Sequence, residues 1–122
     1  MKDQKKTLVL GASLKENRYS NKAIKALRKS NIPTCAIGLR PGNVADVKIE
    51  TEPQNFENID TITLYMNPKR QPAFYDYILD LRPKRVLFNP GTENPDFYRL
   101  LRDESIKVEV ACTLVLLATN QY

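Results

Sequence analysis

The residues best suited to chemistry lie between Gly11 and Asn21, in the run Gly-Ala-Ser-Leu-Lys-Glu-Asn-Arg-Tyr-Ser-Asn. An apolar stretch, Leu8–Leu10, precedes the run, and a segment of helical periodicity follows it. A strand that enters a Gly-led, hydroxyl-rich turn and then a helix makes an anion site, because backbone N–H groups and the positive helix end face the same point. Ser13 and Ser20 supply hydroxyls, and Arg18 supplies a fork for phosphate oxygens. Ser20 also suits the N-cap of the helix. Projected onto the three-glycine dinucleotide fingerprint, Gly11 fits, but the next two places fall on Ser13 and Glu16. The loop therefore points to a nucleotide-like ligand and argues against an ordinary NAD site. A side chain at Gly11 is expected to intrude where backbone approaches phosphate.

The turn Gly38-Leu39-Arg40-Pro41-Gly42-Asn43 discriminates further. An NAD domain carries an acid after its second strand to hold the ribose hydroxyls, whereas Arg40 here suits a phosphate on that ribose. Tyr65–Arg70 and Asn89–Asn94 complete four loops rich in Asn, Ser, Arg, Pro and Gly. Asn89, Pro90 and Gly91 bring a flexible turn to the end of a fourth strand. Cys112 opens the last helix, a place where a thiol can become reactive, although a buried cysteine is more commonly just a small apolar residue. Cys35 reads as core. Histidine is absent, so the commonest acid–base side chain near neutral pH is missing, and no catalytic residue or metal set is assigned.

Five apolar segments read as strands: Thr7–Leu10, Thr34–Ile37, Thr61–Leu64, Arg85–Phe88 and Lys107–Val110. Most are continuous apolar runs, the signature of parallel strands covered on both faces. Ser20, Ala23, Ile24 and Leu27 repeat at helical spacing between the first two. A second helix spans about Pro72 to Leu81. A third starts at Asn94-Pro95, a good N-cap followed by proline at the first helical position. The apolar segment from Cys112 to about Thr119 is expected as a buried closing helix. Leu39–Ile59 is the least regular stretch, with a short edge strand near Val47–Ile49. The alternation predicts an α/β fold: one Rossmann-like, doubly wound, mostly parallel five-stranded sheet with helices on both faces.

The 122 residues suffice for one domain and are too few for two. A single domain over 1–122 is expected, with residues 1–6 a flexible basic start. No apolar run approaches a membrane span, and two cysteines make no disulfide framework, which favours a reducing cytoplasm. The net charge of +5 suits a small anionic nucleotide ligand. Nucleic acid is disfavoured, because the basic residues lack interleaved aromatics for base stacking.

With these residues in view, the chain resembles the stand-alone coenzyme A-binding domain family, whose members are similar to the CoA-binding domain of the succinyl-CoA synthetase α subunit. The resemblance runs from Thr7 to about Asn120. It is carried by Val-Leu-Gly-Ala-Ser at Val9–Ser13 with Arg18-Tyr19-Ser20 downstream, by Asp60–Tyr65, by Phe88-Asn89-Pro90-Gly91 and by Ala111-Cys112-Thr113. It implies that Gly11, Ala12, Ser13, Arg18 and Ser20 form a phosphate loop and that Arg40 is the basic position after strand two. Many relatives carry Asn-Pro after that strand, where this chain has Leu39-Arg40-Pro41-Gly42. The function implied is binding of coenzyme A or an acyl-CoA without evident catalysis, since the synthetases use a phosphorylated histidine. Two alternatives stay open: an NADP-type oxidoreductase or redox sensor on the same sheet, and a basic interaction module. Oligomeric state is not readable from the sequence.

Overall fold

The computed structural model describes residues 5–122. Seven strands form one sheet: β1 (Thr7–Ala12), β2 (Thr34–Gly38), β3 (Gly42–Val44), β4 (Val47–Glu50), β5 (Thr61–Leu64), β6 (Arg85–Phe88) and β7 (Lys107–Val110). Their order is β3-β4-β2-β1-β5-β6-β7. Every neighbouring pair is parallel except β3–β4. The five expected strands are all present, but the sheet is larger by two. The strand near Val47 is not the edge, since β3 pairs outside it through an antiparallel hairpin. Three residues, Gly-Asn-Val, are too few to show a strand's alternation. The hairpin turns at Ala45, whose φ of 53° is unusual for a residue with a Cβ.

Four helices cover the sheet: α1 (Tyr19–Lys29), α2 (Tyr75–Leu81), α3 (Pro95–Asp103) and α4 (Thr113–Ala118). Successive side chains of a strand face opposite layers. Leu8, Leu10, Ile62, Leu64, Val86 and Phe88 pack with Ile78 of α2 and with Phe97 and Leu101 of α3. Val9, Ala36 and Ile49 pack with Ile24 and Leu27 of α1 on the other face. The turn that begins the expected second helix is a 3-10 turn, Gln71–Phe74, continuing into α2. Asn94 caps α3 as expected, its side chain accepting the Phe97 N–H at 3.1 Å with Pro95 next in line.

Two further expectations need correction. The closing helix is not a core element: Thr113 alone is fully buried, and Val115 is 56% exposed. An apolar composition reports what a segment avoids, not what covers it. The N-cap of α1 is Arg18 rather than Ser20, and no side chain caps that helix. Of the basic start, residues 1–4 lie outside the described residues. Lys5 and Lys6 are tied down, Lys5 Nζ donating to Tyr122 O at 2.7 Å and Lys6 Nζ to Glu57 O at 2.8 Å. No helix among the described residues is long and apolar enough to cross a membrane.

Candidate functional site

The chain builds the sheet outward from β1 to β2 and β4 on one side, then crosses back from β4 to place β5 on the other side of β1. Such a switch point opens a crevice beyond the carboxyl ends of the strands. A cleft of about 610 Å3 occupies it, bounded by all four loops singled out in the sequence, a size suited to a nucleotide-like ligand.

The first wall is the turn from β1 into α1. Gly11 has φ +97° and sits at a register shift in β1. A Cβ there would stand 2.9 Å from the Tyr65 carbonyl carbon and 3.0 Å from its oxygen. The methyl group would strike the β5 backbone, not a ligand, which revises the reason expected for glycine at this position. Gly38, at the end of β2, is under similar compulsion: its Cβ would meet Ala12 O at 2.3 Å. Beyond Gly11 the loop holds itself. Lys15 N–H donates to Ser13 Oγ at 3.1 Å, and Asn21 Nδ2 donates to Ser13 O at 3.0 Å. Because α1 has no side-chain cap, its first N–H groups remain available where the helix dipole is positive.

The opposite wall is cross-linked by buried amides. Gln71 Nε2 donates to Met66 O at 3.1 Å and Thr92 O at 2.8 Å, tying the β5 loop to the β6 loop. Asn94 Nδ2 donates in turn to Gln71 Oε1 at 2.9 Å. Asn89 lies beneath the cleft rather than on it. Its Nδ2 donates to Thr63 Oγ1 at 2.6 Å and Leu64 O at 2.8 Å, and its Oδ1 accepts the Thr113 N–H at 2.8 Å. Both of that amide's N–H groups are spent within the fold. Tyr65 lines the cleft with its hydroxyl buried and unpartnered. The neighbouring Thr63 and Thr113 hydroxyls bond one another at 2.8 Å instead. Burial pushes the Tyr65 phenol up to about 12, so it stays neutral at physiological pH.

The charge around the cleft is one-sided. Lys15, Arg18, Arg40 and Arg70 line it, and no Asp or Glu does. Elsewhere cations find carboxylates, as in Arg28–Asp46 at 2.8 Å, Arg85–Glu109 at 3.2 Å and Arg99–Asp96 at 2.6 Å. None of the four cleft cations enters an ion pair among the described residues. Four unpaired cations without a counter-charge have the chemistry to suit a multiply charged anion.

Comparison with known proteins bears on which anion. Residues 5–118 match the family described as CoA binding domain. The chain belongs to the CoA binding domain family. A solved structure described only as an uncharacterized protein is 40% identical to this CoA binding domain, covering 99% of this chain and 100% of its own, with a TM-score of 0.95. A Thermus thermophilus protein covers 98% of this chain and 91% of its own at 19% identity and a TM-score of 0.84. A hypothetical protein from Pyrococcus horikoshii OT3 covers 97% of this chain and 84% of its own at 18% identity, also with a TM-score of 0.84. At those lower identities the likeness speaks for the fold. No curated protein matches the chain.

Within this CoA binding domain, Gly11, Ala12, Ser13, Arg18, Ser20, Arg40, Pro90 and Gly91 all border the cleft. Asn89 does not, and neither does Cys112, which stands at the N-terminus of α4. The sequence sends Lys15, with Glu16, to solvent, yet Lys15 lines the cleft, and it gives no sign of Arg70 or of the apolar lining of Leu14, Tyr19, Leu39, Met66 and Phe74. One signal was available: cations in the loops at the carboxyl ends of strands with no acid able to reach them. Glu16, next to Lys15, turns away to Lys25 at 3.3 Å.

Proposed function

We propose that this chain binds coenzyme A or an acyl-CoA in the switch-point cleft, through the charged nucleotide end of the ligand. The observation that carries the reading is the set of four unpaired cations around a cleft without carboxylates, in a chain of the CoA binding domain family. Coenzyme A carries a diphosphate and a ribose 3′-phosphate, so an all-cation lining matches it better than a site with an acid. Gly91, with no atom within 4 Å of its Cβ position, leaves open space on the cleft side.

The division of labour follows from the chemistry of each group. The uncapped first turn of α1, the Ser13 and Ser20 hydroxyls and Arg18 hold the diphosphate. Arg40 reads the ribose phosphate. Leu14, Tyr19 and Leu39, exposed by 40%, 67% and 75%, are apolar surfaces at the same rim and shield the base. Binding, orientation and release are the roles these residues support, with no nucleophile or base assigned.

The test is calorimetry with coenzyme A, acetyl-CoA, dephospho-CoA, NAD and NADPH, run on the wild type and on Arg40→Ala. Coenzyme A is expected to bind in preference to NAD and NADPH. The Arg40→Ala change is expected to weaken coenzyme A by about five- to 150-fold, about 1–3 kcal/mol, and to leave dephospho-CoA almost untouched. Equal losses for both ligands would move Arg40 off the 3′-phosphate. Tighter binding of NAD than of coenzyme A would overturn the reading itself.

A further inference from the structure

We propose that β7 is the pairing edge of a homodimer, in which the β7 strands of two copies run antiparallel about a twofold axis at Val108. The first argument is the backbone. Lys107 N–H donates to Lys84 O at 3.1 Å and Ala111 N–H to Phe88 O at 3.2 Å, so the odd-numbered residues turn their polar groups toward β6. By alternation, Val108 and Val110 direct theirs outward, and no turn or loop of the described residues takes them up. The opposite edge of the sheet is protected. There β3 has only three residues, follows Pro41 and ends at the Ala45 turn.

The second argument is charge. Lys107 and Glu109 share one face of β7, 3.7 Å apart, with Arg85 a further partner of Glu109 at 3.2 Å. A lone edge lysine repels a second strand, but an alternating Lys-Val-Glu-Val strand is complementary to itself. With the axis at Val108, Lys107 stands opposite the partner's Glu109 and Glu109 opposite the partner's Lys107. The two Val108 residues then exchange a pair of hydrogen bonds. An axis at Glu109 would set the two carboxylates against each other, and an axis at Val110 would leave the charges without opposites.

The third argument is where apolar surface is left over. Six large apolar side chains stand exposed among the described residues. Leu14, Tyr19 and Leu39 border the cleft. Of the remaining three, Val110, 56% exposed, lies on β7 itself and Leu100, 40% exposed, on α3, which packs against β7, while Val115 lies on α4, which packs against α1. An isologous contact along β7 brings Val110 and the α3 flank of both copies together.

The test is sedimentation from about 1 µM to about 1 mM, where interfaces of this kind dissociate. The wild type, Lys107→Glu and Val110→Lys are compared. Both substitutions fall on exposed side chains outside the cleft, so coenzyme A titrations and melting curves report that each variant is folded. A wild-type dimer is expected, with its dissociation constant raised about tenfold or more in each variant. The Val108 and Val110 amides should exchange slowly with solvent in the dimer. A wild type that stays monomeric throughout would overturn the proposal. So would a dimer that neither variant weakens, or one in which those two amides exchange freely.

Discussion

Replacing Gly11 by alanine isolates the contact on which the first wall of the cleft rests. Gly91 is the matched control, because the two residues have nearly the same φ, +97° and +92°. Alanine in such a conformation costs about 1–2 kcal/mol at either position. At Gly91 nothing lies within 4 Å of the added methyl, whereas at Gly11 it would sit 2.9 Å from the Tyr65 carbonyl carbon and 3.1 Å from the Met66 nitrogen. Those atoms are backbone and cannot rotate away. Tyr65 N–H is bonded to Leu10 O at 2.8 Å, so separating β1 from β5 also stretches a ladder bond. Overpacking of this kind adds about 1–3 kcal/mol, giving about 2–5 kcal/mol for Gly11→Ala against about 1–2 for Gly91→Ala. In a chain of this length 1 kcal/mol moves Tm by about 3–5 °C. Gly91→Ala is therefore expected to lose about 3–10 °C and Gly11→Ala about 6–25 °C, measured by circular dichroism without ligand. Equal melting temperatures for the two variants would refute the steric argument, leaving conformational strain as the only role of Gly11.

Arg18→Ala is expected to weaken coenzyme A by about ten- to 150-fold in calorimetry, a charged hydrogen bond of about 1.5–3 kcal/mol, with Tm unchanged because this side chain is exposed and enters no ion pair among the described residues. Asn89→Ala is expected to do the reverse: it strands Leu64 O and the Thr113 N–H in a buried site and costs about 2–5 kcal/mol of stability, read by urea denaturation. Asp46, held below the usual carboxylate range by its hydrogen bond to Arg28, contributes stability that is present above its unfolded pKa of about 3.9 and lost as pH falls through the lower folded value. Asp46→Asn should accordingly melt below the wild type at neutral pH, and the gap should close in acid; a gap independent of pH would remove the ion pair as its cause.

The parallel core of the sheet was legible because burial on both faces writes strands as unbroken apolar runs. Arg85 is an instructive exception, a charged residue 7% exposed at the start of β6. Its guanidinium is held by Thr61 Oγ1 at 2.8 Å, by Glu109 at 3.2 Å and by Tyr122 O at 3.0 Å. Those partners come from three distant parts of the chain, so no local pattern announces them. β3 escaped notice because three residues carry no periodicity. The four loops of the cleft were legible from composition and from the rule for open sheets. Which side chains enter the cleft was not, because loop residues have no period from which to read a direction. Asn89 and Lys15 exchange roles for that reason: one lies sealed under the cleft, the other lines it.

The two walls of the cleft also differ mechanically. On the β5–β6 side, Gln71, Asn94 and Asn89 bind two loops and the start of α4 through buried amides. Such a wall opens only when much of the domain opens with it. The Ser13–Arg18 wall is mostly exposed and held by a few local bonds, so it loosens at far lower free energy. A ligand arriving at the cleft meets a fixed template on one side and a conformable, cationic one on the other. The entropy surrendered on binding is then concentrated in a single loop. On the proposed reading, substitutions in residues 13–18 should retune affinity without disturbing the fold, while the shape of what fits is set by the side that does not yield.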